Sequence, residues 1–241
     1  MLALRGVAKH FGRLAVLRAV DLEVHRGSIV GLIGANGAGK TTLLSIVAGL
    51  LPATAGERRF AEFDDDSIGP QERARMALVT HTAQVYGRLT ARENLELFAD
   101  LRRSAGATAL DAVPLLDRLG LAHAIDRQAG TFSRGMLQRL ALARALVGRP
   151  DLLLLDEPFT ALDREGRSLL AKVLLEERDR GAAILLSSHD FDAILSVCDR
   201  VVLLEHGTIA GRAERAEEDP DAYRRAVQDL AGRMPSMQEV Q

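Results

Sequence analysis

The sequence predicts an α/β fold: a parallel sheet with an antiparallel N-terminal portion and a helical lobe inserted into the core. Three observations carry this. The apolar run Ser28-Ile29-Val30-Gly31-Leu32-Ile33 leads into a glycine turn and then a breaker-free stretch, the strand–turn–helix opening of a parallel domain. Three more short apolar runs, at 152–155, 183–186 and 201–204, alternate with helical stretches around 167–180 and 191–198. Between these two regions the apolar residues change to helical spacing.

In chain order, residues 2–23 alternate apolar and polar side chains loosely, punctuated by Gly6 and Gly12, and read as short, partly antiparallel strands. The strand at 28–33 gives way to the turn at 34–39. Residues 41–51 meet no breaker before Gly49 and stop at Pro52, so they read as a helix. From about 85 to 130, Leu89, Leu95, Leu97, Phe98 and Leu101, then Leu110, Val113, Leu116, Leu119 and Leu121, recur at helical spacing among arginines and acids. A further helix opens near Ser133 and runs to about Val147. From about 212 the chain is polar, with Asp219-Pro220 offering the start of a short helix.

Composition narrows the function. The 241 residues carry 31 basic and 33 acidic side chains, a net charge of -2. That balance argues against a dedicated nucleic-acid binder, which carries a basic excess. The one cysteine, Cys198, cannot form an internal disulfide or a Cys-based metal framework, and reads as a small buried apolar residue of a reducing compartment. No apolar run approaches the roughly 18–20 residues that cross a bilayer, and no basic start precedes an apolar segment, so a cytosolic location is expected unless a partner holds the chain at a membrane.

Gly34-Ala35-Asn36-Gly37-Ala38-Gly39-Lys40-Thr41 matches the phosphate-binding pattern G-x-x-x-x-G-K-[ST] in full, and Lys40 is one of only three lysines. Glycines let backbone N–H groups converge on phosphate oxygens, and the helix that follows turns its positive end to the anion. Lys40 then reaches the terminal phosphates and the Thr41 hydroxyl joins a Mg²⁺ shell, with Thr42 next in the same turn. Leu152-Leu153-Leu154-Leu155-Asp156-Glu157-Pro158 places two acids at the carboxyl edge of a parallel sheet, where ligands bind in this architecture. Asp156 can hold Mg²⁺ through water, and Glu157 can polarise the water that attacks the γ-phosphate.

Thr131-Phe132-Ser133-Arg134-Gly135-Met136-Leu137-Gln138-Arg139 precedes the Asp-Glu strand and opens a helix. It resembles the signature loop of ATP-binding-cassette (ABC) ATPases, Leu-Ser-Gly-Gly-Gln, with Ser133 and Gly135 matching and Phe132, Arg134 and Met136 departing. Ser133 suits a helix cap and Gly135 bares backbone N–H groups, so this turn can bind a γ-phosphate presented by another subunit. The other landmarks of the family fall in order. Ala161-Leu162-Asp163 looks like its D-loop, Ser187-Ser188-His189-Asp190 like its switch histidine, and Phe11 like the aromatic that stacks on adenine. The resemblance covers residues from about 2 to 210.

The family's Leu-Thr-x-x-Glu-Asn-Leu segment is present at residues 89–95. The glutamine that precedes it in ABC ATPases is replaced here by His81, unless the loop slips and Gln84, three residues later, fills the role. A histidine there resembles the ATPase subunit of the haem exporter of cytochrome c maturation, as does Asp156-Glu157-Pro158-Phe159-Thr160-Ala161-Leu162-Asp163.

The resemblance implies a RecA-like P-loop NTPase core over residues 2–211, with a helical subdomain at about 85–150 and a polar tail at 212–241. It implies ATP and Mg²⁺ as cofactors, and two chains sandwiching two ATPs head to tail. It also implies separate integral-membrane subunits that hold the ATPase at the cytoplasmic face of the inner membrane. Other exporters, of drugs or polysaccharide, and amino-acid importers share these motifs. A soluble ABC ATPase of translation or DNA repair would often carry two cassettes or a long coiled-coil insertion, and neither occurs. A P-loop kinase or GTPase leaves the signature turn unexplained, and no Asn-Lys-x-Asp motif is present.

Overall fold

The computed structural model describes residues 1–61, 69–104, 107–215 and 219–233. Among them run β1 (Leu2–Phe11), β2 (Leu14–Val24), β3 (Ser28–Ile33), α1 (Lys40–Val47), β4 (Ala55–Phe60), α2 (Pro70–Ala74) and β5 (Met76–Val79). The lobe contributes α3 (Ala91–Ser104), α4 (Ala112–Arg118) and α5 (Arg134–Leu146). Then follow β6 (Leu152–Asp156), α6 (Arg164–Asp179), β7 (Ala183–Ser187), α7 (Phe191–Val197), β8 (Arg200–Glu205), β9 (Thr208–Glu214) and α8 (Pro220–Gly232).

A six-stranded sheet in the order β5-β6-β7-β3-β8-β9 forms the centre. Its first five strands are parallel and β9 closes the edge antiparallel. β6 and β7 are buried along their whole length, which accounts for their unbroken Leu and Ile composition. The two faces separate by the strand period. Ile29, Ile33, Leu153, Leu155, Ile184 and Leu186 meet the helical lobe, α6 and α7. Val30, Leu32, Leu152, Leu154, Leu185 and Val202 meet α1 and a three-stranded antiparallel sheet, β2-β1-β4.

Several expectations need correcting. The N-terminal strands are long, 10 and 11 residues, because bulges let β1 follow the twist of β2 without losing pairing. The first helix ends at Val47 rather than 51, since Gly49 turns left-handed at φ 68° and closes it. β4, β5 and β9 were not expected. β4 carries two arginines, one of which, Arg58, is buried against Glu72 at 2.7 Å; β5 is only four residues; β9 is a half-exposed edge strand of small and polar residues. The boundary drawn at 211/212 falls inside β9. Beyond it α8 starts where Asp219-Pro220 suggests, with Asp219 accepting the Ala222 N–H, and packs back through Tyr223, Val227 and Leu230. Residues 216–218 and 234–241 of the expected tail lie outside the described residues.

In the lobe, Thr90 and Glu93 form a reciprocal capping box: the Glu93 N–H reaches Thr90 Oγ1 at 3.1 Å, and the Thr90 N–H reaches Glu93 Oε2 at 2.7 Å. Asn94, fully buried, accepts the Tyr86 N–H and donates to the carbonyls of Tyr86, Leu89 and Thr90. The 89–95 segment thus ties the chain entering the lobe onto α3.

Candidate nucleotide-binding site

Strands β5, β6, β7 and β3 are neighbours, and each delivers chemistry at its carboxyl end: His81 after β5, Asp156 and Glu157 at β6, His189 after β7, and the glycine turn after β3. Adjacency in the sheet therefore does what sequence order cannot, since these residues are up to 155 positions apart (His189 against Gly34).

The turn at 34–39 is shaped by close approach. A Cβ on Gly34 (φ 156°) would lie 2.3 Å from the Leu204 carbonyl oxygen, and one on Gly39 (φ 106°) would lie 2.8 Å from Leu17 Cδ2. Gly39 caps α1 without a side-chain acceptor, so the first N–H groups of that helix are open to an anion. Lys40, only 9% exposed, donates through Nζ to the carbonyls of Gly34 at 2.7 Å and Ala35 at 3.1 Å. Burial pushes its ammonium below the ordinary lysine range, while Glu157 and Asp156 pull it back up.

Asp156 is buried and both of its oxygens are engaged. Thr41 Oγ1 donates to Oδ2 at 2.8 Å and Ser187 Oγ donates to Oδ1 at 2.6 Å. Glu157 holds a left-handed backbone, φ 53°, a conformation costing about 1–3 kcal/mol for a non-glycine residue. Its N–H is fixed by the carbonyl and hydroxyl oxygens of Ser187, at 3.1 and 3.0 Å. Its Oε2 lies 2.8 Å from His189 Nδ1 and accepts the His189 N–H at 3.3 Å. Ser187, quoted in the sequence only as a neighbour of the switch histidine, pins the Asp156 carboxylate and the Glu157 backbone. Its signal was its place at the end of β7.

Lys40, Thr41, Asp156 and Glu157 line a cleft of about 320 Å³ together with Asn36, Gly37, Gly39, Thr42 and Val16. Val16 had no chemical signal; it is an ordinary alternating residue of β2. Gly34, Ala35 and Ala38 shape the turn without lining the cleft, Ala38 packing against the core. His81 also lines it, with Nδ1 3.9 Å from Asp156 Oδ2. Gln84 does not: its carbonyl accepts from Arg144, and it belongs to a groove beside Tyr86, Phe98 and Arg102.

Other named residues stand apart from the cleft. Phe11, half exposed at the end of β1, lies 5.2 Å beneath the Lys9 ammonium. Ser133 caps α5, its Oγ accepting the Met136 N–H at 3.3 Å, with Arg134 exposed beside it and Met136 half buried on the core. A Cβ on Gly135 would come within 3.1 Å of the Ala161 carbonyl oxygen, so the turn and residues 161–163 are in contact. Asp163 caps α6, accepting the Gly166 N–H at 2.7 Å.

Thr41 Oγ1 and Asp156 Oδ2 are hard oxygen donors side by side, a pair suited to Mg²⁺, which leaves most of its octahedral shell to phosphate oxygens and water.

Comparison with known proteins agrees with this geometry. A family model described as ABC transporter matches residues 17–160. An uncharacterized ABC transporter ATP-binding protein of Bacillus subtilis is 34% identical over 87% of this chain and 68% of its own length. A fluoroquinolones export ATP-binding protein of Mycobacterium tuberculosis is 35% identical over 87% of this chain and 69% of its own. A solved dimeric post-hydrolysis state of an ATP-binding cassette, bound to ADP and Pi, superposes with a TM-score of 0.77 at 26% identity, covering 90% of this chain and all of that one. The phosphate turn, the carboxylates on β6 and the family match converge: this chain belongs to the ABC transporter family, as an ATP-binding and ATP-hydrolysing subunit.

Proposed function

We propose that two copies of this chain form a head-to-tail motor that powers transport through separate membrane subunits. The observation that carries this is the division of labour within one chain. Lys40, Thr41, Asp156 and Glu157 line the cleft, with His189 held on Glu157, while the Ser133–Met136 turn lies outside it. Each ATP then takes its phosphate cradle from residues 34–42 of one chain and a second set of donors from Ser133, Arg134, Gly135 and Met136 of the other. The dimeric state of the solved relative supports that arrangement.

In this reading the N–H groups of residues 34–42 and the Lys40 ammonium neutralise the phosphates; Thr41 with Asp156 would hold Mg²⁺, which would supply further charge neutralisation there. Glu157 accepts a proton from the attacking water as its oxygen bonds to the γ-phosphorus; the bond to the β,γ-bridging oxygen breaks, its electron pair leaves with ADP, and phosphate is released. His189, on the same carboxylate, orients Glu157 and adds a donor. His81 stands where an amide is usual, and its ring, lining the cleft, can orient water there. Phe11 offers an exposed face to adenine and Asp163 lies at the interface between copies. The helical segment at about 85–150 is the lobe on which membrane subunits dock.

No described helix is long and apolar enough to cross a membrane; attachment to the cytoplasmic face of the inner membrane rests on those partners. Haem export for cytochrome c biogenesis is the narrower reading, supported by His81 lining the cleft in place of Gln84. Drug export, as in the mycobacterial relative, is its rival. Pull-down of the tagged chain from solubilised membranes tests both. Co-purifying integral-membrane subunits that carry haem support the narrower reading, and partners that bind no haem remove it.

A further inference from the structure

Residues 161–163 and 187–190 come from different strand ends, yet one guanidinium ties them. Arg167, one turn into α6, donates from Nε to the Leu162 carbonyl at 3.2 Å. Its Nη1 lies 2.5 Å from Asp190 Oδ2. The other oxygen of Asp190 accepts the Ala193 N–H at 3.1 Å and caps α7, and the residue before it, His189, holds Glu157. At the opposite end Ala161 keeps a left-handed backbone, φ 66°, with its carbonyl against Gly135. An unbroken path of contacts therefore runs from the Ser133–Met136 turn, through residues 161–163, Arg167 and Asp190, to the His189–Glu157 pair.

The Arg167 side chain is 49% exposed, and ion pairs of that kind add little to folding. Stability does not account for its placement; position does. We infer that Arg167 is a positioning residue for ATP hydrolysis. Its bridge between the Leu162 carbonyl and Asp190 sets the His189–Glu157 pair according to how residues 161–163 are held. Resting on the roles proposed above for Glu157 and the 133–136 turn, the bridge passes engagement of that turn by the partner's nucleotide to the water-activating carboxylate of the same chain. Neither Arg167 nor Asp190 lines the cleft.

Steady-state ATPase of the full chain against ATP concentration tests this. Arg167→Ala and Asp190→Asn should each lower kcat by about 5–20-fold, a coupling of ordinary size, with KM for ATP within about twofold of wild type. Asn at 190 keeps an acceptor for the Ala193 N–H, so α7 stays capped and folding is protected. Arg167→Lys, which keeps the charge and loses the Nε bond, should recover part of the rate. The double variant should be no slower than the slower single one, because both remove one bridge. Additive losses, a KM that rises as kcat falls, or wild-type rates in both single variants would overturn the bridge. Glu157→Gln run alongside separates the two layers. Normal turnover there sinks the assignment of Glu157 and the bridge with it, whereas an inactive Glu157→Gln beside a fully active Arg167→Ala sinks the bridge alone.

Discussion

The cleft at residues 34–42 and the turn at 133–136 both offer backbone donors at the start of a helix, but they are built differently. The cleft sits on four adjacent strand ends, and its polar groups satisfy one another within the chain: Thr41 and Ser187 on Asp156, His189 on Glu157, two carbonyls on Lys40. The turn has one internal bond, from Met136 N–H to Ser133 Oγ, and a glycine held against Ala161. One is a preorganised site; in the proposed dimer the other is half of a site. A rigid sheet edge fixes the chemistry, and under the proposed head-to-tail arrangement the surface turn meets a phosphate held by the other copy.

The largest expected effect breaks the cleft's chemistry and leaves its binding. Glu157→Gln should lower ATP hydrolysis by roughly 10²–10⁴-fold, the usual range for a positioned general base, with nucleotide affinity kept. Phosphate release paired with equilibrium ATP binding checks it; a rate near wild type removes Glu157 from the role. Lys40→Ala should instead weaken ATP binding by about 10–100-fold, the range for losing a charge-assisted hydrogen bond. The same residue leaves a pH signature. Burial holds its pKa below the ordinary 10.5, so between the lowered value and 10.5 the unfolded chain binds more protons, and the stability of the nucleotide-free protein gains with rising pH in that window. Lys40→Met should erase this alkaline gain in thermal melts.

Ser187→Ala probes the pin between the Asp156 carboxylate and the Glu157 backbone. It strands a buried oxygen of Asp156 and should cost about 1–3 kcal/mol of folding stability, read by denaturant titration, along with a slower ATPase. A variant as stable as wild type contradicts the network. The smallest expected effect concerns His81. His81→Gln supplies the amide usual at this position and should keep hydrolysis within a few-fold of wild type. Gln84→Ala should be nearly silent, because the Gln84 contact with Arg144 uses its backbone carbonyl. The reverse pattern moves the role to Gln84.

Much of this was legible in the sequence because it is local. The phosphate turn, the strand at 152–155 and the acids after it are contiguous residues whose spacing states their chemistry. The pairings across the sheet were not legible. That Ser187 would serve Asp156, or Arg167 reach Asp190, depends on β6 lying beside β7 and α6 beside α7, which no short-range pattern encodes. β4, β5 and β9 were missed for a related reason: each is short, edge-lying or interrupted by charge, and each is stabilised by its partner strand rather than by its own residues.

The claim that the cleft and the turn are complementary halves is tested most directly by the mass of the Glu157→Gln protein in solution with and without ATP. Light scattering should report a monomer without nucleotide and a dimer with it, the dimer disappearing when Ser133→Arg is added although each subunit still binds ATP. A dimer that ignores ATP, or that survives Ser133→Arg unchanged, would contradict the head-to-tail site.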